Sequence, residues 1–429
     1  MFAVSLEALR QLIAPASFSK QLVKWAGEAP TTIAIEGTHV SVRGAVGSLP
    51  AFLSAEVFQK TGRPLICVLA DSDSAAFFGS DLQQILGSDE QVLLLPPSDN
   101  RPFDSEHIPD PSPTIARGDV LQRLTDSFAG ILVTSFDALI EKVPPPDAIE
   151  GASQNVEIGD EIDPEVLIER LVKQGFTRTE FAQAPGDLAL RGGILDIFPF
   201  IGSYPIRVEF FGDEIDSIRE FDIHTQRSIS RKTSARIVPN LEGASTPADS
   251  RISLTSYFPA ESLLILHDSA ALYESVTEAF NNRDASRASA IARAAQHKTG
   301  STPDLPETGL LYLDEAAVRT ATYPLSTIHF GTFQEDVADR IEADSAPQPS
   351  FDARIAQLRC RILENSAKGL NTTILCDNRG QEGRLTELLE DDITAGKVGL
   401  KVESIHRGFE IPEVNLALYT DHEIFERYH

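Results

Sequence analysis

Short apolar runs separated by helical patterns are the feature that most constrains the fold of this chain. LICVL, VLLL and ILVTS lie between residues 65 and 135, and helical patterns separate them. A fourth run, LLILH at 263–267, leads into the helical pattern SAALYESVTEAF. Short continuous apolar runs of this kind are typical of parallel strands that are buried on both faces. We therefore predict a multi-domain α/β protein built on a doubly wound parallel sheet.

The stretch from 154 to 238 has a different pattern of predicted helices and strands, which indicates an inserted domain. It contains the helical pattern DPEVLIERLVKQGF, in which Asp163 suits the N-cap, Pro164 the first turn and Gly175 the end of the helix. Strand patterns follow, as in an antiparallel α+β unit. After the insert, α/β texture returns with the fourth apolar run and a further strand-like run, TGLLYLDEAA. We expect one α/β domain that is interrupted by the insert.

Proline-rich stretches mark the other boundaries. VPPPDAIEGASQ ends the first α/β segment, and ADSAPQPS precedes a last small α/β unit. At 429 residues the chain is long enough for roughly three domains. The expected units are domain 1a at 1–153, domain 2 at 154–238, domain 1b at 239–342, which completes domain 1, and domain 3 at 343–429.

The charge balance argues against two classes of partner. The chain carries 37 Lys and Arg against 64 Asp and Glu, a formal net charge of −27. This total disfavours non-specific binding to DNA or to anionic membranes, although a local basic patch remains compatible with it. The three cysteines are scattered without a C-x-x-C pair, and no run of about 20 apolar residues occurs. We expect a cytoplasmic protein with no membrane partner, disulfide framework or zinc site.

The segment RGAVGSLPAFLSAEVF lies where a strand–loop–helix phosphate loop would lie, with Gly44, Gly47 and Ser48 in the turn. A working loop needs G-x-x-x-x-G-K-[ST], because the lysine neutralises the phosphates and the hydroxyl holds Mg²⁺. Here Leu49 and Pro50 follow Ser48, and the lysine is missing. The sequence therefore predicts a degenerate phosphate loop that binds no nucleotide.

The other patterns give no catalytic or metal site. LLILHDSA resembles the strand that presents a Walker B acid pair, but it offers His267 and Asp268 where two acids are expected. His422 lacks partners at metal-ligand spacing, and no G-x-S-x-G motif occurs. We expect no catalytic residue and no metal.

One predicted strand, IRVEFF, carries an arginine and a large aromatic residue on one face. Alternate side chains of a strand point to opposite faces of its sheet. Upstream of it, Arg191 precedes Gly192 and Gly193, which permit a positive φ or a close backbone approach. The two faces are an apolar one suited to the core, with Ile206, Val208 and Phe210, and an opposite one with Arg207, Glu209 and Phe211.

The pattern alone leaves two interpretations of this second face open. The first is a partner-binding surface, because arginine and aromatic residues dominate binding hot spots. In the second, Phe211 packs beneath the insert's own helix, and Arg207 pairs with Glu209 or Asp213.

The insert resembles domain 2 of the bacterial transcription-repair coupling factor (Mfd) family. The resemblance is carried by RGGILDIFP, by RVEFFGDEI and by the FD and TQRS that follow. The related module of the excision-repair helicase UvrB is similar but more distant. At lower strength, LPPSDNRPFDSEHIPDPSPTIARGDVLQRL resembles the family's first-domain segment, and SYFPAESLLILHDS is similar to its return to domain 1.

The resemblance implies a partner and three contact residues. In the family, domain 2 binds UvrA, the damage-recognition ATPase of nucleotide excision repair, and two arginines and a phenylalanine carry much of that contact. By motif they match Arg191, Arg207 and Phe211. The family's domain 1 resembles the UvrB ATPase core with a degenerate phosphate loop. The resemblance therefore implies a non-catalytic adaptor, without a cofactor, that recruits UvrA to DNA damage at stalled RNA polymerase.

A whole family member has further parts. It continues into an RNA polymerase-binding domain and a DNA translocase that uses ATP and Mg²⁺, and its C-terminal domain covers the UvrA-binding face. We expect RNA polymerase and DNA to be contacted through such regions, which this chain lacks. The alternative is a UvrB-like nucleotide- and DNA-binding ATPase or helicase module, which would need a lysine in the loop at Gly44–Gly47.

Overall fold

The structure is a computed structural model that describes residues 5–32, 37–104, 106–107, 110–126, 128–202, 204–240, 246–296, 305–335 and 337–426. The strands of these residues are β1 His39–Arg43, β2 Leu65–Leu69, β3 Val92–Leu95, β4 Ile131–Ser135, β5 Gln154–Glu157, β6 Thr177–Arg178, β7 Asp187–Arg191, β8 Ile194–Ile197, β9 Ile206–Phe211, β10 Glu214–Phe221, β11 Ser228–Lys232, β12 Ser234–Ile237, β13 Leu263–His267, β14 Ser326–Phe330, β15 Asp339–Glu342, β16 Ala346–Pro347, β17 Asn371–Cys376, β18 Val398–Val402, β19 Phe409–Ile411 and β20 Leu416–Thr420.

The helices follow the same order. They are α1 Leu6–Ile13, α2 Ser17–Glu28, α3 Leu49–Thr61, α4 Ser72–Leu86, α5 Pro111–Thr125, α6 Phe136–Leu139, α7 Pro146–Ala152, α8 Pro164–Lys173, α9 Ser269–Gln296, α10 Thr308–Leu311, α11 Glu315–Thr322, α12 Ile355–Ala367, α13 Arg379–Leu388, α14 Glu390–Thr394 and α15 Asp421–Ile424. Within the described residues, no helix has both the length and the apolar character needed to cross a membrane.

The largest sheet has seven strands in the order β15-β1-β14-β13-β2-β4-β3, and its neighbours pair in parallel. Its central strands are buried on both faces: Leu65 and Cys67 of β2 face one apolar cluster, and Ile66 and Val68 face another. Strands β1–β4 precede the predicted insert, and β13–β15 follow it. The predicted α/β class with a large parallel sheet is confirmed.

The segment between those two strand groups forms a sheet of its own. Its six strands run in the order β11-β10-β9-β8-β7-β6, and every neighbouring pair except β6–β7 is antiparallel. Helix α8 begins as predicted, with the Asp163 carboxylate accepting from Glu165 N at 2.8 Å and with Pro164 at the first position. Gly175, just after the helix, has φ +97°. Leu167, Ile168 and Leu171 of α8 pack on one face of the sheet and leave its other face uncovered by this helix.

The last segment carries a mixed five-stranded sheet in the order β16-β19-β20-β17-β18. Part of this segment shares a hydrophobic core with the first segment of the chain. Ile405, Phe409 and Leu418 pack in the same apolar cluster as Leu49 and Phe52 of helix α3. The 343–429 segment therefore packs tightly against the first one, and the division of the chain into four units stays a prediction.

One strand expectation is wrong. TGLLYLDEAA contains the helical turn α10, Thr308–Leu311, and the strand that enters the sheet is β14, Ser326–Phe330. A short apolar run does not distinguish a strand from a helical segment. Thr327 and His329, both buried, interrupt the apolar character of the true strand.

Candidate functional site

The two glycines after Arg191 make the turn that places this arginine. Gly192 lies in the left-handed region at φ +63°, where a side chain is disfavoured. A Cβ on Gly193 would come within 2.9 Å of the Phe210 carbonyl oxygen. Both expected uses of glycine, positive φ and close approach, are therefore present. The tight β7–β8 turn sets Arg191 directly opposite Ile194.

Strand β9 separates its two faces as the alternation predicts. Ile206 and Val208 are buried, and Phe210 packs partly buried against the same core as helix α8. Phe211, on the opposite face, is 83% exposed. The interpretation in which Phe211 packs beneath the insert's own helix is therefore wrong.

The buried carboxylate of Asp196 joins the two arginines. It lies on β8 directly opposite Arg207 of β9, and it is 1% exposed. Arg207 donates from Nε to Oδ1 at 2.6 Å and from Nη2 to Oδ2 at 2.9 Å. Arg191 donates from Nη2 to Oδ2 at 2.5 Å. The partner of Arg207 is thus neither Glu209 nor Asp213, and sequence reasoning missed Asp196 because alternation does not give the register between strands.

Each arginine also lies against an aromatic ring. The guanidinium carbon of Arg191 is 4.7 Å from the centroid of Phe181, and that of Arg207 is 4.2 Å from the centroid of Phe221. The hydrogen bonds to Asp196 raise the pKa of Arg207 above its ordinary value. Both side chains are therefore held at an edge by a carboxylate and on a face by a ring.

A second ion pair lies on the same face of the sheet. Glu209 accepts from Ser217 Oγ at 2.7 Å and from the Arg219 guanidinium. Arg231 lies opposite Arg219 on the neighbouring strand and is exposed. We define the outer face as Arg191, Asp196, Arg207, Glu209, Phe211, Glu214, Arg219 and Arg231.

The outer face brings four arginines together on a chain of net charge −27. Among the carboxylates of this face, Asp196 and Glu209 are engaged with arginines, and Glu214 lies directly opposite Phe211. Phe211 projects beside them with most of its ring in solvent. Such a surface suits a protein partner that offers acidic side chains and an apolar pocket.

The three phosphate-loop residues also lie together, between β1 and α3; Ser48 is buried, whereas Gly44 and Gly47 are exposed. Gly44 and Gly47 have φ of +74° and +58°. A Cβ on Gly44 would lie 2.3 Å from the Ala343 carbonyl oxygen, and one on Gly47 would lie 2.6 Å from that of Gly408. The loop is therefore packed against the last segment of the chain.

Ser48 completes this contact. Its N–H donates to the Arg407 carbonyl at 3.1 Å, and its Oγ accepts from Arg407 N at 2.9 Å. The backbone N–H of Ser48, at the start of α3, is thus hydrogen-bonded to a carbonyl group of the chain itself. A cleft of about 660 Å³ opens onto the loop, lined in part by Arg43, Gly44, Gly47 and Arg407.

The residues in the Walker B position have structural roles. Asp268 Oδ1 accepts from Thr332 N at 2.7 Å and from Phe333 N at 2.8 Å, so this carboxylate caps a loop. His267 lies between Phe78 and Phe330, and burial lowers its pKa to about 4.

The spacing of residues in the sequence did not predict one group of potential metal ligands. Asp377, Asp421 and His422 have ligand atoms within 4.8 Å of one another. His422 Nε2 lies 2.8 Å from the His406 carbonyl oxygen, and Asp377 accepts from Ser404 Oγ at 3.0 Å. These groups already hydrogen-bond within the protein, and we infer no metal site from them.

Comparisons with known proteins agree with the resemblance seen in the sequence. Residues 155–242 match the family model described as the UvrB interaction domain. The transcription-repair-coupling factor of Bacillus subtilis is 33% identical over 48% of this chain, and that of Myxococcus xanthus is 32% identical over 48%. The Escherichia coli protein is 27% identical over 45% of the chain. The resemblance to this family is confirmed.

These matches cover 18%, 18% and 17% of the three relatives, so the chain spans a small part of their length. A solved structure, titled "Structure of Mss116p (NTE and C-tail double deletion) bound to ssRNA and AMP-PNP", aligns over 92% of this chain and 59% of its own. Its TM-score of 0.22 and identity of 8% are too low to bear on fold or function.

Proposed function

We propose that this chain is a non-catalytic adaptor that recruits the excision-repair protein UvrA to DNA damage at stalled RNA polymerase, and that the outer face is its UvrA-binding surface. The observation that carries the proposal is the exposure of Phe211, 83%, beside Arg191 and Arg207 within a UvrB interaction domain. All three residues lie on one face of one sheet. Recruitment to a transcribing polymerase would place this work in the bacterial cytoplasm.

Phe211 is the proposed anchor. A nearly fully exposed phenylalanine at the end of a well-packed strand has no stabilising role in the folded chain, because its ring gains little burial there. Burial against a partner would recover that apolar area, and such anchors dominate interface energetics. Val208, fully buried on the other side of β9, supports the strand from behind.

The arginines would supply charge complementarity. The Arg191 side chain is 40% exposed and that of Arg207 is 16% exposed. Each therefore offers only part of its guanidinium group to a partner. Two of the Arg207 donor nitrogens already bond to Asp196. This geometry favours single hydrogen bonds to partner carboxylates over the bidentate contact that a free guanidinium makes.

The degenerate phosphate loop supports an adaptor without enzymatic activity. The missing lysine removes the charge that neutralises phosphates, and Arg407 and Gly408 place backbone carbonyls against Ser48 and Gly47. We propose that this chain needs no cofactor. ATP with Mg²⁺, DNA and RNA polymerase would be bound by other regions of longer family members, and the C-terminal domain of such a protein would cover the outer face.

The alternative is a UvrB-like nucleotide- and DNA-binding ATPase. The open cleft beside the loop, with Arg43 and Arg407 on its walls, favours it. Calorimetric titration with ATP and Mg²⁺ separates the two functions. The adaptor predicts no heat of binding, and saturable binding would support the ATPase.

Titration of UvrA into the 429-residue chain tests the adaptor directly. We expect a saturable complex whose affinity falls as salt rises, because arginines of the outer face would pair with acidic side chains of the partner. Arg207→Ala should weaken the complex, and Lys24→Ala, on helix α2 of the first segment, is the control. A folded chain that binds no UvrA would contradict the proposal.

A further inference from the structure

We infer that Asp196 is a positioning residue, which holds Arg191 and Arg207 as one rigid unit on the outer face and so sets its affinity for an acidic partner surface. The inference rests on the proposed function and deepens it. Asp196 itself is 1% exposed, so it cannot contact the partner to any extent. Any effect on binding must act through the two arginines.

The contacts around Asp196 leave both guanidinium groups little freedom. Both of its carboxylate oxygens accept, with Oδ2 shared between Arg191 Nη2 and Arg207 Nη2. Arg207 Nη2 also donates to Gln226 Oε1 at 3.0 Å. The rings of Phe181 and Phe221 lie against the guanidinium faces at 4.7 and 4.2 Å. An arginine fixed before binding loses less rotamer entropy on binding than a mobile one.

The same contacts fix the charge that a partner meets. The trio of Arg191, Asp196 and Arg207 carries a net charge of about +1, because one carboxylate serves two guanidinium groups. If charge alone controlled recognition, removal of the carboxylate would leave +2 and strengthen binding to an acidic partner. If fixed geometry controls recognition, the same change would weaken it. The two possibilities predict opposite signs.

Asp196→Asn distinguishes these possibilities with little change in volume. The asparagine side chain retains one acceptor oxygen but presents N–H groups where a guanidinium now bonds. The two arginines would also repel each other without the shared carboxylate. We expect Arg191 and Arg207 to leave their positions and the UvrA affinity of the full chain to fall at least about fivefold.

The control is a hydrogen-bonded, ion-paired carboxylate on the opposite side of the sheet. Glu220 accepts from Ser230 Oγ at 2.6 Å and pairs with Lys232 at 3.2 Å, and it lies opposite buried Ile206. Glu220→Gln should leave UvrA affinity unchanged. Thermal unfolding of both variants verifies that each retains the native fold.

A double-mutant cycle measures the coupling between Asp196 and Arg207 in UvrA binding, which a purely structural role of Asp196 would not produce. We expect Asp196→Asn to cost less in an Arg207→Ala background than alone, because one of the two side chains that it positions is gone. Equal costs in both backgrounds, or an Asp196→Asn chain that binds UvrA as tightly as the original or tighter, would overturn the inference. If Arg207→Ala itself has no effect, the proposed function fails instead.

A second variant covers the case in which Asp196→Asn does not fold. Phe221→Leu keeps a buried apolar side chain at that position but removes the ring beneath Arg207. We expect the folded variant to bind UvrA about two- to fivefold more weakly. Unchanged affinity for Phe221→Leu would then contradict the positioning role.

Discussion

The backbone N–H of His406 donates to the Asp81 carboxylate at 2.7 Å, across 325 positions of sequence. Asp81 lies on helix α4 of the first segment, and His406 belongs to the stretch that crosses the phosphate loop. The ring of His406 also stacks on Phe77 of the same helix, with centroids 3.9 Å apart. His406 and Arg407 are thus held beside the loop by Asp81 of α4 and by Ser48.

Asp81 should make this contact pH-dependent. Burial raises its pKa from 3.8 to about 7, although hydrogen bonds from Ser48 and His406 act in the opposite direction. Between those values the folded chain holds a proton that the unfolded chain has released, so the stability from this group falls as pH rises. Asp81→Asn cannot ionise, so its stability relative to the original chain should increase from about pH 4 to about pH 8. Thermal unfolding of both proteins at about pH 4 and about pH 8 checks this prediction. The same difference in stability at both pH values would contradict it.

Gly44 should tolerate alanine much less well than a matched glycine. Gly44 and Gly62 both lie in the left-handed region, at φ +74° and +68°. A Cβ on Gly44 would meet the Ala343 carbonyl oxygen at 2.3 Å, and nothing lies within 4 Å of one on Gly62. Gly62→Ala should cost about 1 kcal/mol, and Gly44→Ala about 1–3 kcal/mol more. Urea unfolding measures both, and equal losses would show that the contact is not tight.

The two faces of β9 should respond in opposite ways to truncation. Val208 is fully buried in the core beneath α8, and Phe211 is 83% exposed. Val208→Ala should lower the free energy of unfolding by about 1–3 kcal/mol through lost burial and a cavity, whereas Phe211→Ala should change it by less than about 0.5 kcal/mol. A large loss of stability in Phe211→Ala, measured by urea unfolding, would mean that this ring packs within the chain.

The strands and helices that could be predicted from the sequence are those with a recognisable local residue pattern. The runs that became β2, β3, β4 and β13 are continuous and apolar, and burial on both faces requires that composition. Helix α8 has both a cap and an apolar stripe. The faces of β9 follow from alternation, since its burial reverses at each residue from Ile206 to Glu209.

Contacts between distant segments could not be predicted in this way. The Asp196–Arg207 pair depends on the register of β8 against β9, and alternation fixes the faces of a strand but not its partner residues. The contact of Ser48 with Arg407 joins positions 359 residues apart. Strand β14 was missed because Thr327 and His329 are buried polar residues, satisfied by hydrogen bonds that no local pattern shows.

The central claim is that Phe211 anchors UvrA on the outer face. The most direct measurement is an isothermal titration of UvrA against the full chain and its Phe211→Ala variant. Phe333→Ala is the matched control, because Phe333 is 66% exposed but lies on the loop after β14 of the seven-stranded sheet. We predict a loss of about 2 kcal/mol, roughly 30-fold, for Phe211→Ala and none for Phe333→Ala. Equal affinity of the folded Phe211→Ala variant and the original chain would contradict the account.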